Sequence, residues 1–133
     1  KGPWRFALDE TKELDDVHRM MRVLQDESPN RKQVYVLIGN EPMADCYHRA
    51  QSVIAWGGEP YCQAVLPLNA MDRHDFIVRY DWTAQHLSDF MRYYNRHLWR
   101  SLPITDYIPR ANGIRSLNIF PMSVMANEYE ATL

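Results

Sequence analysis

The sequence predicts an α/β fold in which three parallel strands alternate with three helices, ahead of an irregular C-terminal tail. Three observations carry this. Strand-type and helix-type segments alternate strictly through the first hundred residues. The segment "VYVLIG" (Val34–Gly39) is apolar without interruption, the mark of a parallel strand covered on both faces. Proline and glycine punctuate the boundaries, with Pro42 opening a helix and "WGG" (Trp56–Gly58) closing it. Alternation of this kind favours parallel pairing with right-handed crossovers.

Element by element, "WRFALD" (Trp4–Asp9) reads as a short buried strand. The stretch that follows places Leu14, Val17, Met20, Met21 and Leu24 at three- and four-residue steps, one apolar stripe. Acidic residues crowd its first turns and Arg19 and Arg22 come later, as the helix dipole favours. "ESPN" breaks that helix. The second strand, "QVYVLIG", leads to a helix with Met43, Cys46, Tyr47, Ala50, Val53 and Ile54 on one side. "PYCQAVLPL" is the third strand, and Pro67 marks an end or edge position. Residues 69–81 read as a loop. The third helix spans "TAQHLSDFMRYYNRHLW", with Thr83 as N-cap and Leu87, Phe90, Met91, Tyr94 and Leu98 inward. Prolines 103, 109 and 121 punctuate the tail. The expected strand order is Trp4–Asp9, Val34–Gly39, Tyr61–Leu66, all adjacent and parallel. A three-stranded sheet leaves edges exposed, so a partner covers them or the chain is a piece of a larger barrel or sheet.

Bulk properties narrow the function. A chain of 133 residues suits one domain, and 46% hydrophobic with 24% charged residues excludes disorder of the whole chain. A formal net charge of −2 gives no basic footprint for nucleic acid. No apolar run approaches the roughly 20 residues of a membrane span. No signal peptide is visible behind the polar "KGP" opening. Cys46 and Cys62 have no metal-ligand spacing and make no disulfide framework, so a cytoplasmic location is expected.

The segments "RFALDE", "VYVLIGNEP", "CYHRAQSVIAWGGEPYCQAVLPLN" and "FMRYYNRHLWRSLPITDY" together resemble the C-terminal half of a radical S-adenosylmethionine (SAM) enzyme core. The order and spacing carry the resemblance, over Trp4–Tyr107. It implies a partial (β/α)6 barrel, so that residues 1–107 form the later half-barrel (βαβαβα) and 108–133 a C-terminal extension. It also implies that the first half-barrel belongs to the same parent chain, cut at "KGP". The family's CxxxCxxC loop, which holds a [4Fe–4S] cluster, is absent here. The resemblance therefore implies that the parent protein uses SAM and the cluster as an iron–sulfur oxidoreductase, and that this segment binds neither alone and is not catalytic alone. In the family, the cluster passes an electron to SAM and releases a 5′-deoxyadenosyl radical, chemistry that belongs to the cofactors.

The same resemblance assigns candidate cofactor contacts. The family's fifth strand carries a Gly-x-Ile-x-Gly-x-x-Glu-like pattern against the adenosyl group. Tyr35, Leu37, Gly39 and Glu41 are the match here, although Tyr35 stands where the pattern has its first glycine and Glu41 comes one residue early. Glycine at 39 lets a ligand lie against backbone. Asp9, at the end of the first strand, suits the ribose or amino-acid part of SAM, since a carboxylate accepts hydroxyl protons; helix capping by Asp9 fits equally well. Backbone near Leu66, Pro67 and Leu68 is expected at adenine. Asp9, Gly39, Asn40, Glu41 and Asn69 are expected to gather at the carboxyl edge of the sheet. As a fragment, the chain is expected to expose apolar sheet surface and to dimerise or be marginally stable.

Histidines 18, 48, 74, 86 and 97 suggest no ligand set, and His18, His48 and His74 read as solvated. A Cys46-x-His48 metal pair is rejected, because helix neighbours two apart point about 200° apart. "YYNRHLWR" reads as core packing with a solvated face rather than a base-stacking surface. Two rival functions stand beside the radical SAM reading. One is a free-standing nucleotide- or small-ligand-binding α/β domain. The other is an interaction module that pairs through an open sheet edge.

Overall fold

The structure is a computed structural model that describes residues 2–107 and the backbone of 110–111 and 114–115. Three strands, β1 (Trp4–Leu8), β2 (Lys32–Ile38) and β3 (Glu59–Ala64), form one sheet in the order β1-β2-β3. Both pairings are parallel, with Phe6 opposite Val34 and Val36 opposite Cys62. This is the expected strand order. The helices are α1 (Leu14–Val23), α2 (Met43–Ala55) and α3 (Ala84–Asn95). The strands β4 (Arg110–Ala111) and β5 (Ile114–Arg115) pair antiparallel. The rest of the 108–133 extension lies outside the described residues.

Boundaries differ from the sequence reading where local turns intervene. A 3-10 turn at Thr11–Glu13 precedes α1, and its N-cap is Glu10, paired with Glu13 in a capping box, rather than Asp9. The third strand begins at Glu59 and ends at Ala64, so Leu66 and Pro67 belong to the following loop. Thr83 caps α3 as expected, its Oγ1 accepting from His86 N at 3.0 Å. Gly57, at φ +83°, ends α2 in the left-handed region.

The sheet is covered on one face. Val34, Val36 and Ile38 of β2, together with Cys62 and Ala64 of β3, are buried against Met43, Cys46, Ala50 and Val53 of α2 and Val17 and Met21 of α1. Both α1 and α2 lie on that side. Met21 and Val53 both reach Gly58, and His18 stacks on Trp56 with centroids 4.7 Å apart. His18 is therefore half-buried rather than fully solvated. Parallel strands laid down in sequence order, with crossovers of one hand, place their helices on one face in this way. The other face carries Arg5, Ala7, Gln33, Tyr35, Leu37, Tyr61 and Gln63, and Tyr35 is 45% exposed. The expectation that β2 is covered on both sides is corrected here. Its uninterrupted apolarity reflects two aromatic and aliphatic residues, Tyr35 and Leu37, that stand on the uncovered face.

The two edges of the sheet are treated differently. Among the described residues, no strand pairs with the outer edge of β1. The outer edge of β3 is closed by α3. Cys62 N donates to Asn95 Oδ1 at 2.7 Å, and Asn95 Nδ2 donates to Cys62 O at 2.9 Å. The side-chain amide thus acts as one residue of a neighbouring strand. Ile77 N donates to Val65 O at 3.0 Å just beyond it. Asn95→Ala strips both partners from the Cys62 peptide and is expected to cost about 1–2 kcal/mol. It also uncovers a strand edge, so sedimentation should show the variant self-associating more strongly than the unsubstituted chain. An unchanged urea midpoint would show that the bidentate contact contributes nothing.

Candidate functional site

The carboxyl ends of the strands converge on Arg49. This residue lies on the same helical stripe as Cys46 and Ala50 and Val53, at three- and four-residue steps, and is 0% exposed. Side chains on a helix lean toward its N-terminus. The N-terminus of α2 follows directly on the end of β2, so the guanidinium reaches the strand ends. Nη1 donates to Leu8 O at 2.8 Å. Nη2 donates to Asn40 Oδ1 at 3.1 Å and lies 3.2 Å from Cys46 Sγ. Nε stands 3.1 Å from Glu41 Oε1, a charge contact in which the N–H is not aligned on the oxygen.

Glu41 in turn accepts from Thr11, from its hydroxyl at 2.7 Å and its backbone N–H at 3.2 Å. Asn40 Nδ2 donates to Asp9 O at 2.5 Å. The Glu41 carbonyl accepts from Trp82 Nε1 at 2.9 Å, and Asp81 caps α2 by accepting from Met43 N at 2.8 Å. The end of β1, the end of β2 and the start of α2 are therefore one hydrogen-bonded unit. Asp9, Gly39, Asn40 and Glu41 gather there as the sequence suggests. Asn69 stands exposed in the loop after β3, with Leu66 and Pro67 half-buried in the same stretch.

The partners of these residues decide what they offer. Glu41 and Asn40 spend their polar groups within the chain. Gly39 has φ +88°, and a Cβ there would stand 3.2 Å from Leu87 Cδ2. Leu87 of α3 occupies the space immediately beside the Gly39 backbone. Asp9 remains exposed, and its carboxyl pKa is raised by burial and by neighbouring Glu13, against the pull of Arg49. Asp45 is raised by burial and by Glu41. Leu37 lies on the uncovered face, half-exposed, beside Gln63 of β3.

A second polar cluster occupies the amino end of β3. Tyr61 Oη lies 3.3 Å from both Glu59 Oε1 and His97 Nε2, and Tyr35 packs on Tyr61 with ring centroids 6.0 Å apart. Arg100 pairs with Glu59, which is buried. His97 holds this position from a left-handed backbone, φ +58°. A third lies along α3. Asp89 is 5% exposed, its Oδ1 accepts from Gln85 at 2.9 Å, and its Oδ2 has no partner. Burial raises its pKa, and the Gln85 amide and the Arg92 charge oppose the rise. Sequence reasoning missed Arg49, Glu59 and Asp89. The only available signal was a charged residue in phase with an apolar stripe.

Cys46 and Cys62 are both buried, and burial pushes both thiols up, Cys62 well above its ordinary value. Among the described residues, no group of three or more His, Cys, Asp and Glu side chains is placed to hold a metal ion. Nor, among them, is any helix long and apolar enough to cross a membrane. Comparison with protein-family models, with curated proteins and with solved structures found no match.

Proposed function

We propose that this chain is the closing half of a radical SAM barrel, supplying one wall of the SAM pocket and no catalysis by itself. The observation that carries the reading is the asymmetry of the sheet. Both connecting helices lie on one face, as on the outside of a (β/α) barrel, and the other face carries side chains without a covering layer. The two edges agree with it. The edge of β1, where earlier strands would pair, is unpaired among the described residues, whereas Asn95 closes β3, the last strand of such a barrel. A doubly wound nucleotide-binding domain would place helices on both faces.

The residues fit the two implied groups unequally. Two buried, protonated thiols on separate elements do not suit a [4Fe–4S] cluster, so the cluster belongs to the N-terminal half-barrel of the parent chain. For SAM, the exposed Asp9 carboxylate and the half-exposed Leu37 are the side chains of this edge that remain available, together with backbone at Leu66–Leu68. Asn40 and Glu41 hold the edge in shape through Arg49.

The coding sequence upstream of Lys1 provides the first test, since the reading requires a CxxxCxxC segment within about one half-barrel of it. In protein expressed from that longer frame, Leu37→Glu is expected to weaken SAM binding at least tenfold, because a charge would replace an apolar wall. The 133-residue chain alone should bind no SAM. Absence of the cysteine segment, or equal SAM affinity in the two proteins, overturns the reading. Tight binding of adenosine compounds by the chain alone would favour the free-standing ligand-binding domain instead.

A further inference from the structure

The open edge of β1 carries more than unpaired backbone. A groove of about 220 Å3 lies beside it, lined by Phe6 and Ala7 of β1 and by Glu13, Asp16, Val17 and Met20 of the turn and helix that follow. Trp4, in phase with Phe6 on the helix side of the strand, is 52% exposed. Met20 is 50% exposed, and Val23, three residues further along the same face of α1, is 78% exposed. Sheet edges are commonly blunted by proline, lysine, a bulge or a covering element. Asn95 covers β3, whereas Trp4–Leu8 contains no proline, no lysine and no bulge. Its one charge, Arg5, is exposed and donates to Gln33 Oε1 at 3.3 Å. Arg5 and the exposed Asp9 form no ion pair among the described residues.

We infer that a second copy of this chain docks on this edge, β1 against β1 antiparallel, about a two-fold axis at Ala7. The patch is self-complementary, as a contact of this symmetry requires. It holds an aromatic anchor, Trp4, and an apolar groove side by side, and opposite charges along one strand. An axis normal to the sheet makes the two edges antiparallel while keeping both helix layers on one side, so the exposed Met20 and Val23 face a second α1. Residues directly opposite then share a face, so the axis falls on a residue rather than between two. At Arg5 it would set arginine against arginine, a repulsive pair. At Phe6 it would set Arg5 against Ala7, leaving the charge unanswered. At Ala7 it sets Arg5 of each copy opposite Asp9 of the other, twice by symmetry, with a small side chain on the axis. Asp9 lies one residue past the strand and in phase with Arg5. The barrel reading gives this edge to an earlier strand of a longer chain; in the 133-residue chain by itself the second copy takes that place.

Sedimentation of the 133-residue chain tests this without SAM or a cluster, so its failure is separate from that of the barrel reading. The chain is expected to be a dimer at about 100 μM and to grow no further, because a two-fold contact closes on itself. Arg5→Asp sets like charges opposite each other at two places and should weaken the dimer at least tenfold, and Asp9→Arg should do the same. The double variant Arg5→Asp, Asp9→Arg exchanges the charges and should return the affinity to within about threefold of the unsubstituted chain. Both side chains are exposed, so circular dichroism should stay unchanged. If a single variant alters that spectrum, Met20→Glu decides instead, and a charge in the apolar stripe should weaken the dimer at least tenfold. A monomer at that concentration, open-ended association, an unweakened dimer in the deciding variant, or a double variant no tighter than the single ones would each overturn the inference.

Discussion

Arg49→Ala should lower the stability of the chain by about 3 kcal/mol, the low end of what breaking a buried ion pair costs. The low end applies because Glu41 retains 24% of its side-chain exposure and water can partly repay its lost partner. The loss has several parts. Glu41 keeps the Thr11 contacts but loses its neighbouring cation. The Leu8 carbonyl, at the end of β1, loses its donor inside the protein. Asn40 loses the group that orients its amide toward Asp9. A cavity replaces the guanidinium and its stem, since Arg49 is fully buried. Arg49→Lys keeps the charge, but a single ammonium does not reproduce a planar fork that spans Leu8, Asn40 and Glu41, so it should recover only part of the loss. Urea denaturation followed by circular dichroism measures both variants. A midpoint for Arg49→Ala equal to that of the parent would mean that the strand ends are held by something other than this residue.

The distance between what the sequence revealed and what it hid follows the range of the interactions. The strands and helices were legible because their signals are local. The β-branched run at Val34–Ile38, the stripe of α1, and the Thr83 cap each depend on neighbours a few residues away. Parallel order was legible because alternation leaves few topologies. Which face of β2 is uncovered was not, because Tyr35 and Leu37 satisfy either reading and the answer depends on where α1 and α2 pack. The candidate site was half legible. Asp9, Asn40 and Glu41 do meet at one edge, but Arg49, which bonds Asn40 and pairs with Glu41, shows in sequence only as a charge in phase with an apolar stripe. Its burial is decided by the Leu8 carbonyl, 41 residues away. Asn95 hides its role for the same reason, since an asparagine near a helix end gives no hint of a strand edge 33 residues earlier.

Gly39→Val is expected to destabilise the fold by roughly 2–4 kcal/mol, from backbone strain and overpacking together. The sequence alone assigned this glycine to a ligand lying against backbone, with no demand from the fold itself. Two features change that expectation. Residue 39 sits at φ +88°, where a branched side chain is strained whatever space surrounds it. Its Cβ would also stand 3.2 Å from Leu87 Cδ2, and Leu87 is fully buried among the residues of α3 and cannot swing into solvent. The strand-to-helix turn therefore has two demands on glycine, one from the backbone and one from α3. They separate in a double-mutant cycle. Leu87→Ala alone should cost about 2–5 kcal/mol as a cavity. In the presence of Leu87→Ala, Gly39→Val should cost less than in its absence, by the steric share, with a coupling of at least about 0.5 kcal/mol. The backbone share should persist in both backgrounds. Chemical denaturation of the four proteins supplies all the terms. If Gly39→Val leaves the parent's midpoint unmoved, neither demand exists. If it destabilises equally in both backgrounds, the left-handed turn alone requires glycine at this position and the contact with α3 does not.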